Sequence, residues 1–477
     1  MEAMGIREIQ RALQSGEITC RELVMNYMER IANYDKSGVK INSILEINPD
    51  ALHIAEVLDY EKGTIGQRGA LYGIPILIKD NINTGDKMHT SAGSLALADS
   101  YAEEDAFIVK KLREAGAIIL GKTNMTEFAN FMSYNMENGY SSRGGQVLNP
   151  YGPGKFDVGG SSSGSGAAVA ANFCTAAIGT ETSGSILSPS CQNSLVGIKP
   201  TVGLISRNGI IPLAHSQDTA GPMCRTVEDA AIVLGALTGS DVKDPVTFTS
   251  RGRGLSDYAQ FLDYHSLQGA RIGIPREHYF EELTEDQRAL MEDAISLMAE
   301  HGALIVEDVQ ISTAKDFDSA SVLFYEFKSD INAYLSSLRS SSKIKTLKDI
   351  IDFNIQNSEA ALKYGQQVLI DSDKTSGTLT EPEYINNRIK DIRLSQTEGI
   401  DKAINEYSLD AVLFPGTAGA DIAARAGYPS ITVPAGYTKV GEPFGITFTS
   451  IPYSEPILIK LAYSYEQYSK KRLPPNL

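Results

Sequence analysis

Glu104-Asp105-Ala106-Phe107-Ile108-Val109-Lys110-Lys111-Leu112-Arg113-Glu114-Ala115-Gly116-Ala117-Ile118-Ile119-Leu120 decides the fold class. Residues 104–115 have apolar side chains at helical spacing, Gly116 stops the helix, and 117–120 read as a buried strand. Helix, glycine, apolar strand is the grammar of an α/β layer protein. The same grammar extends outward in both directions. Upstream, the apolar run Leu71-Tyr72-Gly73-Ile74-Pro75-Ile76-Leu77-Ile78 ends at Lys79-Asp80-Asn81 and predicts a buried strand with a charge at its tip. Downstream, helices are predicted over 227–237 and 286–301 and strands over 271–274, 303–306, 411–415 and 430–434. Residues 5–60 read as helices, with Ser15-Gly16 as a break, Thr19 as a cap and a second pattern over 45–60. Residues 139–166 have loop composition, and 167–177 read as a small-residue helix. Residues 310–400 read as polar helix without a motif, a variable cap within one domain spanning 1–477, behind an N-terminal helical segment 1–65.

Composition excludes several functions. The 477 residues carry 43 Lys and Arg against 59 Asp and Glu, a net charge of −16. Phosphate backbones need clustered cations, so no nucleic-acid partner is expected. The four cysteines, Cys20, Cys174, Cys191 and Cys224, include no C-x-x-C pair, which speaks against a zinc knuckle or a redox motif and for a reducing compartment. No metal or cofactor is expected. The start, MEAMGIREIQ, has no apolar leader, and no run of about 18 apolar residues occurs, so the expectation is a cytoplasmic protein off the membrane. Six histidines are present, none beside a G-x-S-x-G elbow, so a histidine-based triad has no support.

Three segments are suited to chemistry. An apolar flank such as Ile76–Ile78 disfavours the charged form of Lys79, and a desolvated lysine can act as a general base. A strand-end lysine beside Asp80 can equally be an ion-pair partner. Gly159-Gly160-Ser161-Ser162-Ser163-Gly164-Ser165-Gly166 can bring backbone N–H groups close to a reacting centre, or can be a linker or phosphate nest; it has no G-x-x-x-x-G-K-[ST] pattern. Gly179-Thr180-Glu181-Thr182-Ser183-Gly184-Ser185-Ile186 can form the sharp turn a serine nucleophile needs, or a polar turn at a helix start.

Together these segments resemble the amidase signature family. Lys79, Ser161 and Ser185 stand 82 and 24 residues apart, and Gly197-Ile198-Lys199-Pro200-Thr201 closes the block. Flanking matches are Lys122-Thr123-Asn124, Glu127-Phe128, Asn149-Pro150, Gly203-Leu204-Ile205-Ser206-Arg207 and Asp218-Thr219-Ala220-Gly221-Pro222-Met223. The resemblance covers about 5–235 and, less closely, 405–475. It implies one α/β domain with a mixed twisted sheet between helical layers. It implies Lys79 as base, Ser161 as the bridging serine after a cis peptide bond, and Ser185 as nucleophile. The N–H groups of Thr182, Ser183, Gly184 and Ser185 are the implied oxyanion hole, with Ser162, Asp218 and Arg225 bracing the site.

This sequence departs from the family pattern at Ser183 and along Leu187-Ser188-Pro189-Ser190-Cys191-Gln192-Asn193. Ser216-Gln217-Asp218-Thr219, Asn193-Ser194-Leu195-Val196-Gly197 and Ser454-Glu455-Pro456…Ala462-Tyr463 are most similar to the peptide-amidase branch, which implies hydrolysis of C-terminal peptide amides or other small carboxamides by a monomer or homodimer. A glutaminase subunit of a tRNA-dependent amidotransferase is the alternative within the family, and a non-catalytic binding protein on the same fold is a third. The acyl pocket is expected in 125–145 and 310–400.

Overall fold

Among the described residues, thirteen strands order the chain: β1 Ile44–Ile47, β2 Pro75–Lys79, β3 Ile118–Thr123, β4 Tyr140–Ser141, β5 Gly145–Gln146, β6 Ala176–Glu181, β7 Val196–Lys199, β8 Thr219–Cys224, β9 Arg271–Gly273, β10 Leu304–Val306, β11 Ala411–Pro415, β12 Ser430–Tyr437 and β13 Pro443–Thr449. The structure is a computed structural model that describes residues 4–64, 66, 68–307, 309–317, 321–340 and 342–477. Eleven strands form one sheet in the order β1-β3-β2-β6-β8-β7-β12-β13-β11-β9-β10, and β4 with β5 forms a separate ribbon. β3, β2 and β6 run parallel, as do β11, β9 and β10. The strands between these groups pair antiparallel, so the sheet is mixed.

Every residue of β2, β3, β6, β7, β8 and β11 is buried, as expected for strands covered on both faces. Helices Phe107–Glu114, Val227–Leu237 and Glu285–Glu300 lie where the sequence predicts them. Thr19 caps Cys20–Arg30 in a capping box with Glu22.

Two predicted elements are corrected. The start of the 45–60 pattern is strand β1, paired with β3, and the helix begins only at Ala51. The 167–177 helix is displaced: it runs Ser163–Ala170, and Ala176 already opens β6. β6 reads Ala-Ala-Ile-Gly-Thr-Glu, and alanine favours helix when read alone, so burial on both faces overrides local propensity here.

Residues of the 310–400 region form a second apolar cluster. Phe327, Ile331, Leu347, Ile350 and Leu369 pack with Met125, Phe128, Phe131 and Leu213. Helix Ser321–Ser337 thereby packs on the segments that follow β2 and β3 and on the loop that precedes β8. No helix among the described residues is long and apolar enough to cross a membrane.

Candidate active site

Lys79 is the last residue of β2 and is fully buried. Its amine donates to Ser161 Oγ at 2.8 Å, to Thr180 Oγ1 at 2.9 Å and to the Thr180 carbonyl at 3.2 Å. All three partners are uncharged. Burial therefore governs the amine and lowers its pKa to about 7, against the opposing charges of Asp218 and Glu181.

Ser161 lies in the turn that enters helix Ser163–Ala170, after a cis Gly160–Ser161 peptide bond. Gly160 is required by space, since a Cβ there would fall 2.5 Å from Asn138 Oδ1 and 2.7 Å from Thr126 Oγ1. Ser162 stitches the two serine segments together. Its N–H donates to the Ser185 carbonyl at 3.1 Å, its hydroxyl donates to the Thr180 carbonyl at 3.0 Å, and the Thr180 N–H donates back to that hydroxyl at 3.2 Å.

Ser185 sits between the end of β6 and helix Leu187–Gln192, in a turn that Gly184 opens with φ of 76°. Ser185 is 6% exposed, whereas Lys79 and Ser161 are closed to solvent, so the serine is the member of the three that a ligand reaches. Glu181 shapes this turn. Its buried carboxylate accepts N–H bonds from Gly184 at 2.8 Å, Ile186 at 2.6 Å and Leu187 at 2.9 Å. The Gly184 N–H is thus already engaged, unlike the role expected for it from the sequence.

Asp218, just before β8, accepts from the Thr182 hydroxyl at 2.6 Å and from the N–H groups of Leu213 at 2.7 Å and Ala214 at 2.9 Å. Burial raises its carboxyl pKa to about 6, with those bonds opposing. Asp218 and Ser162 lie at this end of the sheet, bonded to Thr182 and Thr180 respectively. Arg225 lies elsewhere. It lies past the far end of β8, seven residues from Asp218, roughly 23 Å along a strand at about 3.3 Å per residue. Its guanidinium donates to the carbonyls of Cys174, Val169 and Met4. Thr180, Asn81 and Glu181 carry more of the geometry than sequence reasoning assigned them. All three stand in the quoted segments, and an extended chain over 176–182 puts Thr180 and Thr182 on one face.

Two cavities flank the turn. One, of about 200 Å³, is lined by Asn81, Thr180 and Thr182, by Ile210 and Leu213, and by charged side chains that include Arg207, Asp218 and Asp244. The other, of about 380 Å³, reaches Ser188, Cys191 and Gln192 on the helix after Ser185, together with Gly416, Thr417 and Phe444. Of the regions expected to hold the acyl pocket, 125–145 and 310–400, only Ala129 and Asp330 line the first cavity and none lines the second. Residues 310–400 thus form little of either cavity's wall.

The Cys191 thiol lies 2.9 Å from Thr432 Oγ1, and burial raises its pKa to about 11, so it is held as a neutral thiol. Among the described residues, His215, Glu326 and Asp330 form the one group with metal-ligand spacing. Its carboxylates already accept from the Ser216 and His215 N–H groups and the Tyr384 hydroxyl.

A family model described as Amidase matches residues 22–459. The chain is 39% identical to a probable amidase of Arabidopsis thaliana, covering 99% of this chain and 91% of that one. It is 42% identical to the X-ray structure of native peptide amidase from Stenotrophomonas maltophilia, with a TM-score of 0.92 over 100% of this chain and 99% of that one. It is 32% identical to a glutamyl-tRNA(Gln) amidotransferase subunit of Alkaliphilus metalliredigens, covering 98% of this chain and 96% of that one.

Proposed function

This chain belongs to the amidase family and is a hydrolase of amide C–N bonds; on that premise we propose that Ser185 is its nucleophile, Ser161 the proton bridge and Lys79 the base. The substrate in this reading is a C-terminal peptide amide or another small carboxamide. The single observation that carries it is a fully buried amine, with its pKa near 7, in contact with a serine hydroxyl at 2.8 Å.

The neutral Lys79 amine takes the Ser161 hydroxyl proton, and Ser161 takes the proton of Ser185. Ser185 Oγ bonds to the amide carbon. The N–H groups of Thr182, Ser183 and Ser185 face the developing oxyanion, an effect worth about 3–4 kcal/mol per donor in a dry site. Gly184 is left out of that set because Glu181 holds its N–H. The C–N bond then breaks, Ser161 gives its proton to the leaving nitrogen, and Lys79 returns one to Ser161. Water repeats the sequence on the acyl ester. We assign the chain no cofactor, metal or nucleic-acid partner, because the relay needs none and the net charge is −16. In this reading it is a cytoplasmic, free-standing monomer or homodimer.

A serine-directed covalent inhibitor should add one equivalent to Ser185 and abolish turnover, and Ser185→Ala should neither label nor turn over. Labelling at Cys191 would overturn the assignment. The match to an amidotransferase component supports a second reading, glutamine hydrolysis inside an obligate complex. Purified chain that hydrolyses a peptide amide but not glutamine decides for the first, and the reverse decides for the second.

A further inference from the structure

A third cavity, of about 1080 Å³, opens beside Arg225, past the end of β8 remote from Asp218. Its walls come from helix Ile6–Ser15, from residues 225–229 and from the end of helix Glu455–Ser469 with the residues after it. Six cationic side chains line it: Arg7, Arg11, Arg225, Lys470, Lys471 and Arg472. Four carboxyls line it too, those of Glu8, Glu228, Asp229 and Glu466. On a chain with a net charge of −16, a lining with more cations than carboxyls stands out.

The carboxyls leave most of these cations unmatched. Glu228 pairs with Arg7 at 2.9 Å. Glu8 accepts from the Gly5 N–H at 2.8 Å, at the start of its own helix. Glu466 accepts from the Val227 N–H at 2.8 Å, and burial raises its pKa to about 8, so it is mostly uncharged at neutral pH. Asp229 accepts from the Ile6 N–H at 2.8 Å, and burial raises its pKa to about 6 against the nearby charge of Arg225. Arg225 gives its own hydrogen bonds to carbonyls. Among the described residues, the side chains of Arg11, Lys470, Lys471 and Arg472 have no carboxylate bonded to them. Arg472 is the most telling. Its Nε is buried without a hydrogen-bond partner, and burial and the like charge of Arg225 both work against its protonated form. A shielded guanidinium with no anion in contact is unfavourable, and an oxyanion from outside the chain would relieve it.

We infer that this cavity is a binding site, separate from the reaction centre, for a small molecule carrying two or more oxyanion groups, phosphate or carboxylate. A guanidinium fork matches the paired oxygens of either group. The volume is that of an organic ligand, since such pockets run to about 1,000 Å³. The cations stand on three separate elements, which one monovalent ion could not bridge. The site does not depend on the assignment of Ser185.

Calorimetric titration of the full chain with pyrophosphate and with citrate, in about 0.15 M salt, tests this. At least one probe should bind one per chain with a Kd of about 1 mM or tighter, and more weakly as salt rises. Arg472→Gln should weaken that binding about tenfold or more. Arg11→Gln, at an exposed position that spares the fold, should weaken it about threefold or more. Lys439→Gln, an exposed cation outside the cavity, should leave it within about twofold. Tighter pyrophosphate assigns the site to phosphate compounds, and tighter citrate to carboxylates. The inference is overturned if neither probe binds at about 10 mM, or if Arg472→Gln and Arg11→Gln both leave the Kd within about twofold.

Discussion

Lys79 is one of three lysines fully buried at the ends of strands. Lys122 closes in on the Ile82 carbonyl and Thr90, and Lys199 on the carbonyls of Tyr428 and Pro200. Burial lowers the other two to about 8. From the sequence, each follows or sits in an apolar run, and nothing local separates them; the family resemblance did. What distinguishes Lys79 in the fold is a serine hydroxyl among its partners. The pH dependence follows from the direction of its shift. Below about pH 7 the amine is protonated and cannot take the Ser161 proton; above it the base form dominates. The kcat/KM of a non-titrating amide should therefore rise with pH through about 7 and level off. Lys79→Met should remove at least about 10³-fold of it, and Lys79→Arg should not restore it, because a guanidinium stays charged. A flat wild-type profile between pH 6 and 8.5 would contradict the base assignment.

At the scale of elements, the long amphipathic helices and the β-branched strands were legible, and the central strands were not. β6, β7 and β8 are short, rich in Gly, Ala and Thr, and paired on both sides, so their burial comes from partners distant in sequence. The cap was legible only as helix. Its attachment depends on side chains that no periodicity reveals. His215, in the loop that carries Asp218, bonds Asp330 of helix Ser321–Ser337 at 2.9 Å through Nδ1, and its Nε2 lies 3.6 Å from Glu326. Burial opposes its charge, but the hydrogen bond to Asp330 and the charges of Glu326 and Asp330 outweigh burial and the nearby Arg207, so its pKa is raised. A raised folded-state value means the clasp stabilises fully below the ordinary histidine pKa of about 6.5 and fades as pH climbs through the folded value. Amide exchange in 321–337, corrected for intrinsic rates, should be slower at pH 6 than at pH 8.5. His215→Gln should remove that difference; persistence of the difference in the variant would assign it elsewhere.

At the scale of the whole molecule, the sheet separates chemistry from bracing. Lys79, Thr123 and Glu181 end three parallel strands, and Asp218 precedes the antiparallel β8, so all four gather at one edge. A crevice at the carboxyl ends of parallel strands is where α/β sheets place ligands. Arg225 marks the opposite edge. Only 4% exposed, it gathers carbonyls from Met4 in the N-terminal segment, Val169 on the helix after Ser161, and Cys174 before β6. The family resemblance implied a place for it at the site beside Asp218, but strand β8 separates the two by roughly 23 Å at about 3.3 Å per residue. Replacing it by methionine leaves three carbonyls short of a charged donor, at a cost of about 2–4 kcal/mol. Arg225→Met should lower the denaturant midpoint clearly, while enzyme counted by covalent titration of Ser185 keeps kcat within about twofold at 20 °C. The converse result, an unchanged midpoint with kcat down by tenfold or more, would return Arg225 to the reaction centre.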